Sequence, residues 1–141
     1  MTAIGQKRTA GSTAHITQQG IAMEITRKSF PTPLDLYRAL VLVWSQDTAS
    51  PTGAWSPENR AHNHCSLTAL LVQDYFGGQI LSTKTSGGTH FYNSVDGVKW
   101  DLTSSQFSEP IPYDDHQSSR EIALADTSTE KYKLLVERLA A

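Results

Sequence analysis

Cys65, His90 and Asp101 are the side chains of this sequence whose types, taken together, match a nucleophile, a base and an orienting carboxylate. A neutral thiol is a poor nucleophile, since a cysteine with a pKa of about 8.5 is only a few per cent thiolate at neutral pH. Position can change that. Free backbone N–H groups and the macrodipole at a helix start favour the anion, and a nearby imidazolium favours it further. The expectation is therefore a Cys65 thiol of lowered pKa, paired with His90. A lone cysteine in a helix also fits a small buried apolar residue, so its neighbours must decide.

The neighbours are read from a hairpin. Thr89 to Val95 and Val98 to Thr103 flank Asp96-Gly97, a strong two-residue turn signal. With that turn Val95 pairs with Val98, Tyr92 stands opposite Asp101, and His90 stands opposite Thr103. His90 and Asp101 then share one face as diagonal neighbours within hydrogen-bond reach. Phe91, Trp100 and Leu102 take the other face, so an apolar side packs on the core and His90, Tyr92, Asp101 and Thr103 form a polar side. A three-residue turn would instead part His90 from Asp101.

Other groups invite weaker readings. His62, His64 and Cys65 suggest zinc by ligand type, but no second cysteine follows and only His116 or a carboxylate could complete the set. No metal and no cofactor are expected. Trp55, Trp100 and Tyr92 could line a substrate cleft or fill the core. Asn93 faces the core side and reads as a structural amide, while Gln73 and Asp74 read as a solvated face or a C-terminal cap.

The elements that must position these groups follow from capping and period. Thr32-Pro33-Leu34-Asp35 starts a helix over about 33 to 44, with Leu36, Leu40, Val43 and Trp44 on one face. Residues 45 to 60, with Pro51, Gly53 and Pro57, form an irregular connection. A second helix follows, capped by Asn63, carrying Cys65 in its first turn and Leu67, Leu70, Leu71 and Val72 in its apolar stripe, and stopped by Gly77-Gly78. Gln79 to Lys84 is a strand, and beyond Gln106 the prolines 110 and 112 argue for an irregular or edge segment. Thr127 and Glu130 make a capping-box pattern for a terminal helix with Tyr132, Leu135, Val136 and Leu139. The fold class is α+β, a nucleophile-bearing helix on a short antiparallel sheet.

Residues 1–24 are poor in large apolar side chains and read as a disordered arm, leaving 25–141 as one domain. Twelve basic residues against fourteen acidic ones argue against a polyanion, so nucleic acid is not an expected partner. No apolar run reaches membrane-spanning length, and one cysteine with no apolar leader fits a reducing cytoplasm.

The string Trp44-Ser45, Thr48, Trp55, Cys65-Ser66-Leu67-Thr68-Ala69-Leu70, Gln73-Asp74-Tyr75-Phe76-Gly77-Gly78, His90-Phe91-Tyr92-Asn93, Asp96-Gly97, Asp101-Leu102-Thr103 and Gln106-Phe107 resembles the YunG family of small bacterial proteins over about residues 34 to 107. The order of Cys on a helix and of His and Asp on successive strands is also similar to transglutaminase and papain-like cores. That likeness implies Cys65 attacking an acyl carbon, His90 handling the thiol proton and Asp101 fixing the imidazole tautomer. The family tends to carry Gly-Gln before the cysteine, where this chain has Asn63-His64, which would leave His64 or backbone N–H groups to hold an oxyanion. A peptide or small amide, or a thioester, would be the substrate. The other class consistent with these residues is a non-catalytic binding or regulatory domain with a vestigial triad.

Overall fold

Thr32 and Asp35 exchange hydrogen bonds that open the first helix, α1 (Pro33–Val43). Thr32 Oγ accepts from the Asp35 N–H at 3.3 Å and the Asp35 carboxylate accepts from the Thr32 N–H at 3.1 Å. Two backbone donors that the helix cannot satisfy itself are thereby used. A computed structural model describes residues 29–51 and 55–141. The arm expected over 1–24 lies outside the described residues.

The second helix, α2 (Cys65–Phe76), is buried along nearly its whole length, because it is packed on both sides. On one side Leu67, Leu71, Val72 and Phe76 meet Leu36 and Leu40 of α1 and Leu135 and Leu139 of the last helix, α4 (Thr129–Ala140). On the other, Ala69 and Leu70 meet Ile80 and Phe91 of the sheet. Each such aliphatic side chain contributes about 1.5–3 kcal/mol by leaving water. The helix ends as expected at Gly77 and Gly78, both at positive φ. A Cβ on Gly78 would fall 2.1 Å from the Ser94 carbonyl oxygen, so only glycine lets the chain pass there.

Four antiparallel strands follow in the order β3-β2-β1-β4, with β1 Gln79–Thr85, β2 Gly88–Val95, β3 Val98–Trp100 and β4 His116–Gln117. The register between β2 and β3 is the expected one: Val95 pairs with Val98 and Asn93 with Trp100. Asp96 and Gly97 both lie at positive φ, as a two-residue hairpin turn of this hand requires.

Four local expectations need correction. Asn63 does not cap α2: it lies at φ 62° with its amide on the Pro51 carbonyl, and His64 is the cap residue, without a side-chain cap bond. β3 stops at Trp100 instead of running to Thr103, because Asp101 Oδ1 accepts from the Thr103 N–H (3.1 Å) and hydroxyl (3.2 Å), folding the chain into a 3-10 turn over Ser104–Gln106. The terminal helix is capped by Ser128, one residue after Thr127, since the Ser128 hydroxyl is the one that reaches the Lys131 N–H. A short helix, α3 (Arg120–Ala125), capped by Ser119, occupies a stretch too short to display a helical period. Among the described residues, no helix is long and apolar enough to cross a membrane.

Candidate functional site

Cys65 is the first residue of α2, the position the sequence anticipated, yet its ionisation runs opposite to expectation. Burial raises the thiol pKa from 9.0 to about 11. Hydrogen bonds from the Phe91 and Ser66 N–H groups favour the thiolate, but they are outweighed by burial, and the charges of Asp126 and Asp101 push the same way as burial. The expected low-pKa thiol is thus corrected. A helix start lowers a cysteine pKa only where desolvation does not exceed it, and Cys65, although partly exposed as a residue, packs against the cluster of Ala69, Leu70, Ile80, Phe91 and Ala123.

The Phe91 contact follows from where β3 ends. Val95 and Asn93 face their partners on β3, and in an antiparallel ladder Phe91, two residues earlier, turns its N–H the same way. β3 has already departed at Trp100. The donor that Leu102 would have met in a longer β3 is left for the sulfur.

His90 points to the opposite face of β2 from Phe91 and is 2% exposed. Its Nε2 donates to Asp101 Oδ2 at 2.7 Å. A carboxylate can only accept, so Nε2 carries a proton, and the other ring nitrogen, Nδ1, has no hydrogen-bond partner among the described residues. The Tyr113 hydroxyl donates to the same Asp101 oxygen at 2.8 Å, and both Thr103 donors hold the other. Tyr92 stacks on the imidazole at 6.0 Å and the Phe107 ring meets it edge-on at 4.7 Å. The structure therefore brings His90 and Asp101 together, and no hydrogen bond joins either His90 nitrogen to Cys65.

Of the three residues expected beside this set only Tyr92 lies against His90, and the polar groups of all three are already engaged. The His64 ring lies against Trp44 at 5.4 Å, its Nδ1 on the His62 carbonyl at 2.9 Å and its Nε2 on the Thr48 hydroxyl at 2.7 Å. Nδ1–H must be the donor to a carbonyl, leaving Nε2 to accept from Thr48. Burial lowers its pKa from 6.5 to about 4, so the ring is neutral with no N–H free for an oxyanion. The Tyr92 hydroxyl donates to Asp115 Oδ1 at 2.6 Å and accepts from the Asp115 N–H at 2.7 Å, and burial pushes its ionisation upward. Half-buried Trp55 donates its indole N–H to the Arg60 carbonyl at 2.8 Å, closing its own loop.

Asn93 is a structural amide, donating to the Ala69 carbonyl of α2 at 3.0 Å. Gln73 bonds the Gly78 carbonyl at the helix end. Asp74 is not on a solvated face: it is buried, 2.9 Å from Arg120 and bonded to the Tyr132 hydroxyl. Among the described residues no group of three His, Cys, Asp or Glu side chains is placed to hold a metal ion.

Sequence reasoning quoted Phe107 only within the family string, giving it no role, and missed Tyr113 and Asp115. They lie in a stretch without hydrophobic period, and only the pairing of β4 with β1 brings that stretch across the sheet. The polar face expected of the hairpin is accordingly buried beneath them.

The family described as "YunG protein" matches residues 32–141. "Uncharacterized protein YunG" of Bacillus subtilis (strain 168) is 45% identical over 94 residues, covering 67% of this chain and 79% of that relative. No solved structure matches the chain.

Proposed function

The chain belongs to the YunG family, and from that premise we propose that it is a cysteine-dependent hydrolase or acyltransferase acting on an amide or thioester, with Cys65 as nucleophile, His90 as base and Asp101 as the carboxylate that orients it. One observation carries the reading. His90 is a buried imidazole with Nε2 fixed by a carboxylate and Nδ1 unpartnered, on the strand whose next residue holds the Cys65 sulfur. Buried polar atoms almost always find partners, so an orphaned imidazole nitrogen on that strand asks for a function. The order of Cys on a helix start and His and Asp on adjoining segments supports the same reading by its similarity to transglutaminase and papain-like cores.

The raised thiol pKa selects the form of the chemistry. Cys65 rests as a neutral thiol, so its proton passes to His90 Nδ1 as sulfur bonds to the acyl carbon. The carbonyl π pair moves onto oxygen and is stabilised by N–H groups at the uncapped start of α2, those of Cys65 and Ser66. When it returns, the bond to the leaving amine or thiolate breaks and the Nδ1 proton goes to that group. Asp101 retains its charge throughout, holding the imidazolium through Nε2. Water or an amine then attacks the thioester while giving a proton to His90 Nδ1, the C–S bond breaks and the sulfur takes that proton back, and which nucleophile arrives decides between hydrolysis and transfer.

A second reading is favoured by the same raised pKa together with the burial of His90: a non-catalytic binding or regulatory domain that keeps the pair for structure. Intact mass after exposure to a small acyl thioester separates the two. The enzyme reading expects one acyl group on Cys65, absent from Cys65→Ala. No adduct, or equal labelling in both proteins, would leave the non-catalytic reading.

A further inference from the structure

We propose that residues 107–117 are a displaceable strap that seals His90 in the resting protein, with Tyr113 as its principal latch. Phe107 and Tyr113 roof the face of the sheet that holds His90. The Phe107 ring meets the imidazole edge-on at 4.7 Å, and the Tyr113 ring meets Tyr92 edge-on at 5.0 Å while its hydroxyl reaches Asp101 Oδ2 at 2.8 Å. His90 is 2% exposed beneath a segment whose own residues from 112 to 117 are all exposed.

The means of attachment distinguishes this segment from the sheet it covers. Among the described residues, every hydrogen bond holding Pro112 to Asp115 involves a side chain. Thr83 Oγ contacts the Pro112 carbonyl, the Asp114 carboxylate and the Asp114 N–H at 3.0–3.3 Å, and Asp115 exchanges bonds with the Tyr92 hydroxyl. Lys99 adds an ion pair to Asp115 at 3.0 Å, with both side chains nearly half exposed, which is a weak tie. Backbone pairing resumes only at His116 and Gln117. A cover held by side chains and hinged on a two-residue strand opens at lower cost than the eight-residue β2 below it.

Displacement has a chemical consequence. Asp101 loses one donor on Oδ2 but keeps His90, and the unpartnered Nδ1 gains access to solvent or substrate. For its purpose the strap rests on the enzyme reading, because it keeps the base away from stray acyl groups until a substrate takes its place. Its existence is tested separately.

Diethyl pyrocarbonate measures the cover without reference to activity. An unprotonated imidazole nitrogen attacks one of its carbonyls, forming an N–carbethoxy bond and releasing ethyl carbonate, and peptide mass spectrometry locates the product. His116, exposed, and His64, in the core, serve as internal references. In the folded wild type His90 should react at least about tenfold more slowly than His116, as expected for a site that must open locally. Tyr113→Ala should raise the His90 rate about tenfold or more while His64 stays protected. Asp115→Asn, which tolerates the positive φ of 58° there, should give a smaller rise. A His90 rate equal to that of His116 in wild type, or His90 and His64 rates that rise together in both variants, would overturn the strap as a separate unit. His90 uncovered in Tyr113→Ala with Cys65 still unable to take an acyl group would support the strap and count against the enzyme reading.

Discussion

His64 and His90 are sealed from solvent to nearly the same degree, at 0% and 2% exposure, and their surroundings use that burial differently. At the start of α2 both His64 nitrogens are satisfied by neutral groups, a carbonyl and a hydroxyl, and the ring packs on Trp44. On the sheet one His90 nitrogen is bound to a carboxylate and the other has no partner among the described residues. The first arrangement holds an imidazole neutral and inert. The second fixes the tautomer by protonating Nε2 and leaves the lone pair of Nδ1 free, at the cost of an unmet acceptor. Burial alone therefore does not separate a core histidine from a candidate base. The count of satisfied nitrogens and the charge of their partners do.

The largest expected effect belongs to the inert member of the pair. His64 has its pKa lowered from 6.5 to about 4. The unfolded chain binds this proton across that interval and the folded one does not, so stability falls as pH drops from 6.5 toward 4. The loss from this residue reaches on the order of 3 kcal/mol below pH 4. Denaturant melts of wild type and His64→Gln between pH 4 and 7 check it. The variant should flatten the acid slope, and an unchanged slope would mean that the core histidine is not where the acid sensitivity resides.

A smaller effect of opposite sign belongs to Cys65. Its thiol pKa is raised from 9.0 to about 11, so the unfolded chain releases this proton first. The contribution to stability is complete below pH 9 and disappears as pH rises through 11. Cys65→Ala should lose that alkaline decline when melts at pH 8 and pH 11 are compared. A decline of equal size in the variant would place the sulfur in a wetter setting than its packing against Phe91 and Ala123 implies.

The parts of the molecule legible in the sequence are those fixed by local signals. Asp96-Gly97 set the hairpin turn, and with it the register that puts His90 beside Asp101. Thr32 to Asp35 and Gly77-Gly78 marked helix ends for the same reason, since each acts on bonds within a few residues. What the sequence did not disclose depends on contacts distant along the chain. Nothing local to His64 reveals that Thr48 will take its Nε2, nor does anything near Cys65 reveal that it will pack against a cluster drawn from the sheet and α3. Tyr113 reaches Asp101 only because two residues of β4 pair with β1. The turn at Asp101 is an intermediate case. Its carboxylate serves both the Thr103 N–H and His90, a local motif whose competition with strand pairing shortened β3.

The comparison is tested most directly by the rate at which Cys65 takes up an acyl group from a small thioester at pH 7, measured by intact mass in wild type, His64→Gln and His90→Ala. If the free nitrogen of His90 accepts the thiol proton, His90→Ala should be slower by about 10²–10⁴, the usual contribution of a positioned base. His64→Gln should keep a rate close to wild type. A His90→Ala protein that acylates as fast as wild type, or a loss that appears equally on changing His64, would contradict the assignment of His90 as the base for Cys65.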